Sequence, residues 1–286
     1  MTQELTLDNT ALVLDSTCDG PEGFFDRPGL ILVPLRVHFG DETFRDIVDI
    51  GHAEFFAKLT ASSVLPTTSQ PTPAEFAAVY EEATQRYEHV FSLHISAEMS
   101  GTVEAARQAA ADFPQVEVYD MRVVSSGVAL CAERIRARLA RGSTLTEVRE
   151  YIEYTIANTR LLVHAATLEY LRRGGRIGRA ASLVGGVLDL KPLIQNSDGT
   201  LAPYAKVRGT RKALAAMERF IEETTSPGDE IYYTVMDAQN EEEPPLIEEV
   251  FRRVRPRAQL VFYGKVGAVV GTHIGPGTAG FALIAE

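Results

Sequence analysis

Short apolar runs alternate with amphipathic segments through the first half of the chain. Such runs suit buried parallel strands, and apolar residues about three to four apart mark one face of a helix. The predicted strands are Ala11 to Asp15 (ALVLD), Val90 to Ile95 and Val116 to Asp120. The predicted helices are Ala74 to Arg86, Thr102 to Asp112, Gly127 to Arg141 and Thr144 to Asn158. This alternation predicts a three-layer α/β domain with a mainly parallel sheet, whose ligand groups lie at the carboxyl ends of the strands.

The pattern changes near Arg160, after which strand-like runs follow one another more closely. These strands are Leu161 to Ala165, Leu190 to Asn196, Leu201 to Arg208, Glu230 to Asp237, Leu260 to Tyr263 and Phe281 to Ala285. Asp198-Gly199 is a strong hairpin signal, and helices fit Thr210 to Thr224 and Pro245 to Val254. We therefore predict an α/β domain over residues 1–158, a mixed α+β domain over residues 159–286 and a ligand between them.

Length and composition narrow the class of protein. A chain of 286 residues favours two domains, and a net charge of -11 argues against nucleic acid or an anionic membrane as partner. The first residues lack the pattern of a secretory signal, and no apolar run reaches the length of a bilayer span. Cys18 and Cys131 are the only cysteines, without CxxC spacing. We expect a cytoplasmic protein with no integral membrane segment and no disulfide framework.

Four short clusters combine hydroxyls, arginines or an imidazole with glycine or proline. They are Thr67 to Pro71 (TTSQP), Ser100-Gly101-Thr102, Thr167 to Gly178 (TLEYLRRGGRIG) and His273 to Gly277 (HIGPG). The combination brings backbone and short donors close to a ligand. The first two clusters also suit an ordinary turn and helix start, whereas a strand-to-helix turn at Ser100 equally exposes amide groups to an anion. Both interpretations of these two clusters stay open.

His273 is the most distinctive of the six histidines. It directly precedes Gly-Pro-Gly, where the backbone can approach closely, and we do not expect its imidazole on a plain helix surface. The other five are interpreted as surface or satisfied core residues: His38, His52, His89, His94 and His164.

Common nucleotide, metal and hydrolase motifs do not fit the sequence. Gly275 to Gly280 matches G-x-G-x-x-G, but only six residues follow, too few for the helix and strand that the motif requires. There is no phosphate-binding P-loop and no cluster with metal-ligand spacing, and a turn explains Asp15, Cys18 and Asp19. Ser100 lacks the G-x-S-x-G elbow. Ser100 and His273 can still form a dyad in three dimensions, so a serine hydrolase or acyltransferase is the alternative function.

Basic residues are concentrated in the second half of this acidic chain. The first group contains Arg172, Arg173, Arg176 and Arg179, and the second contains Lys206, Arg208, Arg211 and Lys212. Gly174 and Gly175 disfavour a regular helix, so we predict arginines displayed on a turn. Guanidinium groups suit phosphate or the carboxylates of an acidic partner, and a solvated surface is the simpler alternative.

In this order, the clusters resemble the DegV family over nearly the whole chain, from Asp15-Ser16-Thr17 through Lys191-Pro192 to the HIGPG segment. The resemblance implies a two-domain α/β fold enclosing one long-chain fatty acid, with no other cofactor and no metal. Such proteins are similar to the fatty-acid-binding subunit of the bacterial fatty acid kinase. That subunit is a carrier and not itself an enzyme, since a separate ATP-dependent kinase phosphorylates the bound carboxylate for phospholipid synthesis.

The resemblance also assigns roles by motif. Thr68, Ser100, Gly101 and His273 would hold the carboxylate, and Arg176 and Arg208 would serve kinase docking or phosphoryl transfer. Glu98 departs from the family pattern, which often has a small or aliphatic residue there, and its charge would oppose an anionic head group unless it points away. The apolar segment Ala180 to Leu190 (AASLVGGVLDL) would lie against the acyl chain.

Overall fold

The structure is a computed structural model that describes residues 4–183 and 190–286. Its strands are β1 Glu4–Leu5, β2 Thr10–Asp15, β3 Leu30–Val33, β4 Arg36–Phe39, β5 Glu42–Arg45, β6 Thr67–Ser69, β7 His89–His94, β8 Val116–Asp120, β9 Ser143–Thr144, β10 Arg160–His164, β11 Leu190–Ser197, β12 Thr200–Arg208, β13 Ile231–Ala238, β14 Gln259–Lys265 and β15 Thr278–Ala285. Its helices are α1 His52–Ala61, α2 Pro73–Arg86, α3 Thr102–Ala110, α4 Ser126–Leu139, α5 Leu145–Asn158, α6 Glu169–Arg173, α7 Thr210–Thr224, α8 Glu243–Val254 and α9 Ala268–Ile274.

A parallel sheet organises the first half of the molecule. Its strand order is β3-β2-β7-β8, and β2 is buried along its whole length, as expected for a strand covered on both faces. The helix α2 begins with a capping box in which Thr72 and Glu75 satisfy each other's backbone amides, with Pro73 in the first turn. The predicted parallel sheet is confirmed.

A six-stranded mixed sheet organises the second half, in the order β12-β11-β10-β15-β13-β14. Only β13 and β14 run parallel to each other within it. The turn between β11 and β12 has positive φ at both Asp198 and Gly199, 52° and 78°, as the favoured two-residue hairpin turns require. The predicted hairpin and mixed sheet are therefore confirmed.

The helix α4 lies between the two sheets. It contacts β7 of the parallel sheet and β13 and β15 of the mixed sheet, and ten of its residues are buried, as expected for a helix that is covered on several sides. One hydrophobic cluster includes Leu12 and Phe91 from the first half and Leu161 and Ile284 from the second. The two halves thus share core contacts, and their division at residue 158 stays a prediction.

Several elements were not predicted from sequence, among them β3 to β6, α1, α6 and α9. Of these, β6, α6 and α9 line the cavity described below. The turn expected at Thr67 to Pro71 is wrong in its first part, because Thr67–Ser69 is a strand that pairs with β4, with Thr68 opposite Val37. A strand of three hydroxyl residues has no apolar alternation of its own. Its extended form depends on its pairing partner, which a local pattern does not reveal.

Candidate functional site

A cavity of about 270 Å³ lies between the two halves of the molecule. Its wall is largely apolar and takes residues from both halves, including Leu35, Ile95, Leu161, Val163, Met236 and Val269. Polar residues also line it, among them Thr68, Ser69, Gln70, Ser100, Arg176 and His273, which we call the polar cluster. Of the predicted apolar segment Ala180 to Leu190, residues 184–189 lie outside the described part of the chain.

Thr68 and His273 are joined directly across the cavity wall. Thr68 Oγ1 lies 2.9 Å from His273 Nε2, although 205 residues separate them in sequence. Thr68 is fixed by the pairing of β6 with β4, and His273 stands in the last turn of α9. His273 therefore lies on a helix, but its ring is largely covered and lines the cavity, in agreement with the expectation that it would not lie on a plain helix surface.

The remaining contacts of His273 favour a neutral ring. Its Nδ1 is buried and has no hydrogen-bond partner among residues 4–183 and 190–286. It lies close to Gly174, where an added Cβ would be only 2.2 Å from that nitrogen. Burial lowers the pKa of His273 to about 4, and the positive charge of Arg176 contributes in the same direction. The imidazole is therefore uncharged near neutral pH.

Ser100 and Gly101 are held at the start of α3. Ser100 Oγ lies 2.8 Å from Thr102 Oγ1, and the Gln70 side chain donates to the Gly101 carbonyl at 3.1 Å. A Cβ at Gly101 would lie 2.3 Å from Gln70 Oε1, so glycine allows the two segments to approach. Ser100 and Gln70 line the cavity, whereas Gly101 supports Gln70 from behind the wall.

The two arginines assigned by resemblance occupy different places. Arg176 lines the cavity and donates to the carbonyls of Met99, at 3.3 Å, and Gly174, at 2.7 Å. Arg208 is exposed at the end of β12 and does not belong to the cavity wall. The structure brings Arg176, but not Arg208, next to His273.

The basic segment after β10 differs from its predicted form. Arg172 and Arg173 lie on α6 and not on a turn, and both bind the carboxylate of Glu169, at 2.8 and 2.5 Å. The helix forms because Glu169, three and four residues before the arginines, supports this single turn, and the two glycines follow its end. Arg176 comes after the helix, where its guanidinium reaches the cavity.

Glu98 does not oppose the polar cluster. Its side chain is exposed, lies beside Gly199 of the β11–β12 turn and is not part of the cavity wall. The departure from the family pattern therefore leaves the cavity without an added negative charge at this position.

The geometry does not favour the hydrolase alternative. Ser100 is bonded to Thr102, and His273 is bonded to Thr68. The other ring nitrogen of His273 has no partner in the described residues, so no carboxylate orients the imidazole as a general base requires.

The interpretation of His94 as a satisfied core residue is confirmed. Its ring nitrogens bind Ser92 Oγ at 2.6 Å and Asp15 Oδ2 at 3.1 Å. All three side chains are buried outside the cavity wall, so this Ser-His-Asp chain has no access to a substrate. His164 meets the same expectation in part: its Nδ1 lies 2.8 Å from Glu243 Oε2, whereas its Nε2 is buried without a partner among the described residues.

Two buried carboxylates place α9, and sequence reasoning missed their role. Asp19 accepts from the Gly267 amide at 2.7 Å, and Asp46 accepts from the Ala268 and Val269 amides at 3.0 and 3.3 Å. These bonds satisfy amides at the start of the helix that carries His273. No sequence signal links Asp19 or Asp46 to a helix more than 200 residues later.

Residues 4–183 and 190–286 lack two other functional features. They contain no group of three or more histidine, cysteine or acidic side chains that could hold a metal ion. None of the helices in these two ranges combines the length and apolar character needed to cross a membrane.

Comparison with known proteins extends the resemblance. A family model described as "Uncharacterised protein, DegV family" matches residues 9–286. A DegV domain-containing protein of Deinococcus radiodurans is 34% identical over 281 residues, covering 96% of this chain and 97% of that protein. A structure described as "Fatty Acid Binding of a DegV family Protein from Thermus thermophilus" has a TM-score of 0.90 and 35% identity, covering 97% and 100% of the two chains. That of DegV from Bacillus subtilis, described as a fatty acid binding protein, has a TM-score of 0.85 and 29% identity, with coverage of 97% and 99%.

Proposed function

The chain belongs to the DegV family, and from this premise we propose that it binds one long-chain fatty acid in the cavity between its two halves. The DegV-family protein of Thermus thermophilus and DegV of Bacillus subtilis are both described as binding fatty acids. The observation that carries the proposal here is an apolar cavity whose polar cluster contains the Thr68–His273 pair and Arg176. This combination suits a molecule with a long apolar part and one anionic group.

The polar cluster supplies donors for a carboxylate. Because Nδ1 of His273 has no partner, we assign the single ring hydrogen to Nε2, where it donates to Thr68 Oγ1. The hydroxyl hydrogen of Thr68 is then free to donate to the ligand, together with the hydroxyl of Ser100. Arg176 adds a positive charge at the same place. A neutral imidazole fixes Thr68 in this arrangement without neutralising the carboxylate.

Burial of the acyl chain supplies most of the affinity. Each methylene removed from water contributes about 0.8 kcal/mol, so a chain of about sixteen carbons contributes on the order of 10 kcal/mol before the costs of binding. Desolvation of the carboxylate opposes binding unless the hydroxyl donors of the cluster replace its water. The cavity therefore holds a lipid without a covalent bond.

We further propose that the protein is a carrier that presents the carboxylate to a separate ATP-dependent fatty acid kinase in the cytoplasm. The acyl phosphate would then feed phospholipid synthesis. Arg176 reaches both the cavity and solvent, which suits a group that contacts a transferred phosphoryl. Arg208 lies on the exposed end of β12 and suits a contact with the kinase.

Native mass spectrometry tests the binding proposal. We expect purified protein to carry one fatty acid, and delipidated protein to take up palmitate or oleate one to one. It should not hydrolyse acyl esters. Absence of any fatty acid, in the purified protein and after incubation, contradicts the proposal. Esterase activity that disappears in Ser100→Ala would instead establish the hydrolase alternative.

A coupled assay with a purified bacterial fatty acid kinase and radiolabelled ATP tests the roles of the arginines. We expect Arg208→Ala to bind palmitate normally and Arg176→Ala to bind it more weakly. At saturating palmitate we expect both to form acyl phosphate at least about tenfold more slowly, because each removes a charge from the transfer site or the contact surface. Arg172→Ala is the matched control, since Arg172 pairs with Glu169 outside the cavity. If all three variants formed acyl phosphate as fast as the unsubstituted protein, the arginines would be part of a solvated surface with no role in transfer.

A further inference from the structure

Gly174 is a glycine that its own backbone conformation does not require. It directly follows α6 with φ -73° and ψ -9°, a right-handed helical conformation that other residues adopt readily. A Cβ at this position would nevertheless lie 2.2 Å from His273 Nδ1 and 3.0 Å from Cε1 of the same ring. The contact with the imidazole, and not the conformation of the chain, therefore excludes a side chain here.

The ring of His273 is enclosed at both of its nitrogens. Thr68 Oγ1 lies 2.9 Å from Nε2, and Gly174 covers Nδ1, which is buried without a hydrogen-bond partner among the described residues. A second close approach between α6 and α9 holds this arrangement, because Tyr170 packs on Gly275, where a Cβ would lie 2.2 Å from the Tyr170 ring. The two ring nitrogens thus have very different surroundings.

The direction of the Gly174 contact favours one tautomer of the imidazole. One Cα hydrogen of a glycine takes the direction in which another residue has its Cβ, so a Cα–H group of Gly174 points toward Nδ1. Such a group is a weak donor, and Nδ1 accepts it only with a lone pair. A hydrogen on Nδ1 would instead meet this Cα–H group and have no acceptor among the described residues. The contact therefore favours the ring hydrogen on Nε2.

We propose that Gly174 is a positioning residue that keeps the ring hydrogen of His273 on Nε2. Because Nε2 then donates to Thr68 Oγ1, the hydroxyl hydrogen of Thr68 is left for a ligand in the cavity that Thr68 lines. A carboxylate only accepts hydrogen bonds, so this arrangement favours it. The consequence for the ligand rests on the proposed fatty-acid binding, whereas the position of the ring hydrogen does not depend on a ligand.

Nitrogen NMR of the unsubstituted, delipidated protein with isotope-labelled histidine tests the tautomer directly. The signals of His273 are those that are absent from the spectrum of His273→Gln. Near neutral pH we expect Nδ1 to resonate as an unprotonated ring nitrogen and Nε2 as a protonated one. A hydrogen on Nδ1 overturns the proposal, whatever ligand the protein binds.

Competition binding to Gly174→Ala tests the consequence for the ligand. It compares palmitate with hexadecanol, whose hydroxyl group both donates and accepts and therefore does not depend on the direction of the Thr68 hydroxyl. We expect the added methyl group to displace the imidazole, to weaken palmitate binding at least about tenfold and to weaken hexadecanol binding by less than about twofold. An equal loss for both ligands, or no loss for palmitate, overturns the proposal.

Gly175→Asn is the matched control in the neighbouring position. Gly175 has φ 70° and no atom within 4 Å of a Cβ built on it, and asparagine tolerates such a φ better than most residues. We expect the His273 signals and both affinities to stay unchanged. Losses equal to those of Gly174→Ala overturn the role of the His273 contact and leave the proposed function standing. If the unsubstituted protein binds no fatty acid, the proposed function fails, and the NMR spectrum alone decides the tautomer.

Discussion

His273 forms a hydrogen bond with Thr68, and its buried ring is harder to protonate than a free imidazole. Its ordinary pKa of 6.5 falls to about 4, with burial as the main cause and Arg176 as the second. Protonation would add a hydrogen to the buried Nδ1, which has no acceptor among the described residues, and would place two positive charges side by side in a covered site. The residue therefore links the state of the polar cluster to pH.

The first prediction follows from the sign of this shift. Between pH 6.5 and 4 the unfolded chain binds a proton that the folded protein does not bind at His273. The contribution of His273 to the free energy of unfolding is therefore lost as pH falls through this window, by up to about 3 kcal/mol. We expect urea unfolding of His273→Gln to lack this part of the pH dependence.

His89→Gln is the control, since His89 lies outside the cavity wall. Its pH profile should follow that of the unsubstituted protein. An identical acid slope in His273→Gln and in the unsubstituted protein would show that His273 accepts its proton equally well in the folded and unfolded states.

The element that carries His273 is held by bonds from a distant part of the chain. α9 has seven residues, too few to be stable alone, and its first amides are bound by Asp19 and Asp46. Both carboxyls are buried, so the helix start gains bonds while the acids lose hydration. For both acids the loss of hydration is the larger effect, since burial raises the pKa of Asp19 well above its ordinary range and that of Asp46 to about 6.

The second prediction concerns Asp46. Between about pH 4 and 6 the folded protein holds a proton on Asp46 that the unfolded chain has released, so stability decreases as pH rises through this window, opposite to His273. We expect Asp46→Asn, which cannot ionise, to gain relative to the unsubstituted protein by up to about 3 kcal/mol between pH 4 and 7. If the free energies of unfolding of the two proteins changed with pH in the same way over this range, the raised pKa of Asp46 would be contradicted. Asp49→Asn is the comparison, because the pKa of Asp49 is lowered, not raised, mainly by Arg45.

At the scale of helices and strands, the sequence predicted those elements that have a strong local pattern of apolar and capping residues. α2 and α5 each have a capping box at the start and an apolar face, and both were predicted within one residue of their observed bounds. β6 and α9 lack such a signal, since one is a run of hydroxyl residues and the other is short and glycine-flanked. Thr68 and His273 could be selected by resemblance, but their 2.9 Å contact depends on these two elements and on long-range pairing. Asp19 and Asp46, which hold the start of α9, carry no motif at all.

The whole molecule is organised around the space between its two largest sheets, the parallel sheet and the six-stranded mixed sheet. The helix α4 packs on strands of both sheets. One hydrophobic cluster contains residues of both halves, and residues of both halves also line the cavity. An acyl chain in this cavity would add apolar contacts to each half at once. Its effect on stability should therefore extend through the shared core.

The last prediction is that removal of the fatty acid lowers the melting temperature of the whole protein. A ligand at about 100 times its Kd adds about 2.7 kcal/mol to the free energy of unfolding, which corresponds to a rise of roughly 5 °C or more for a chain of this size. Because the halves share a core, we expect one calorimetric transition that moves as a unit when palmitate is added back. The methyl ester of palmitate should give a smaller rise, since it keeps the chain but cannot present a carboxylate to the polar cluster. Two transitions, of which only one responds to palmitate, would show that the cavity stabilises one half alone.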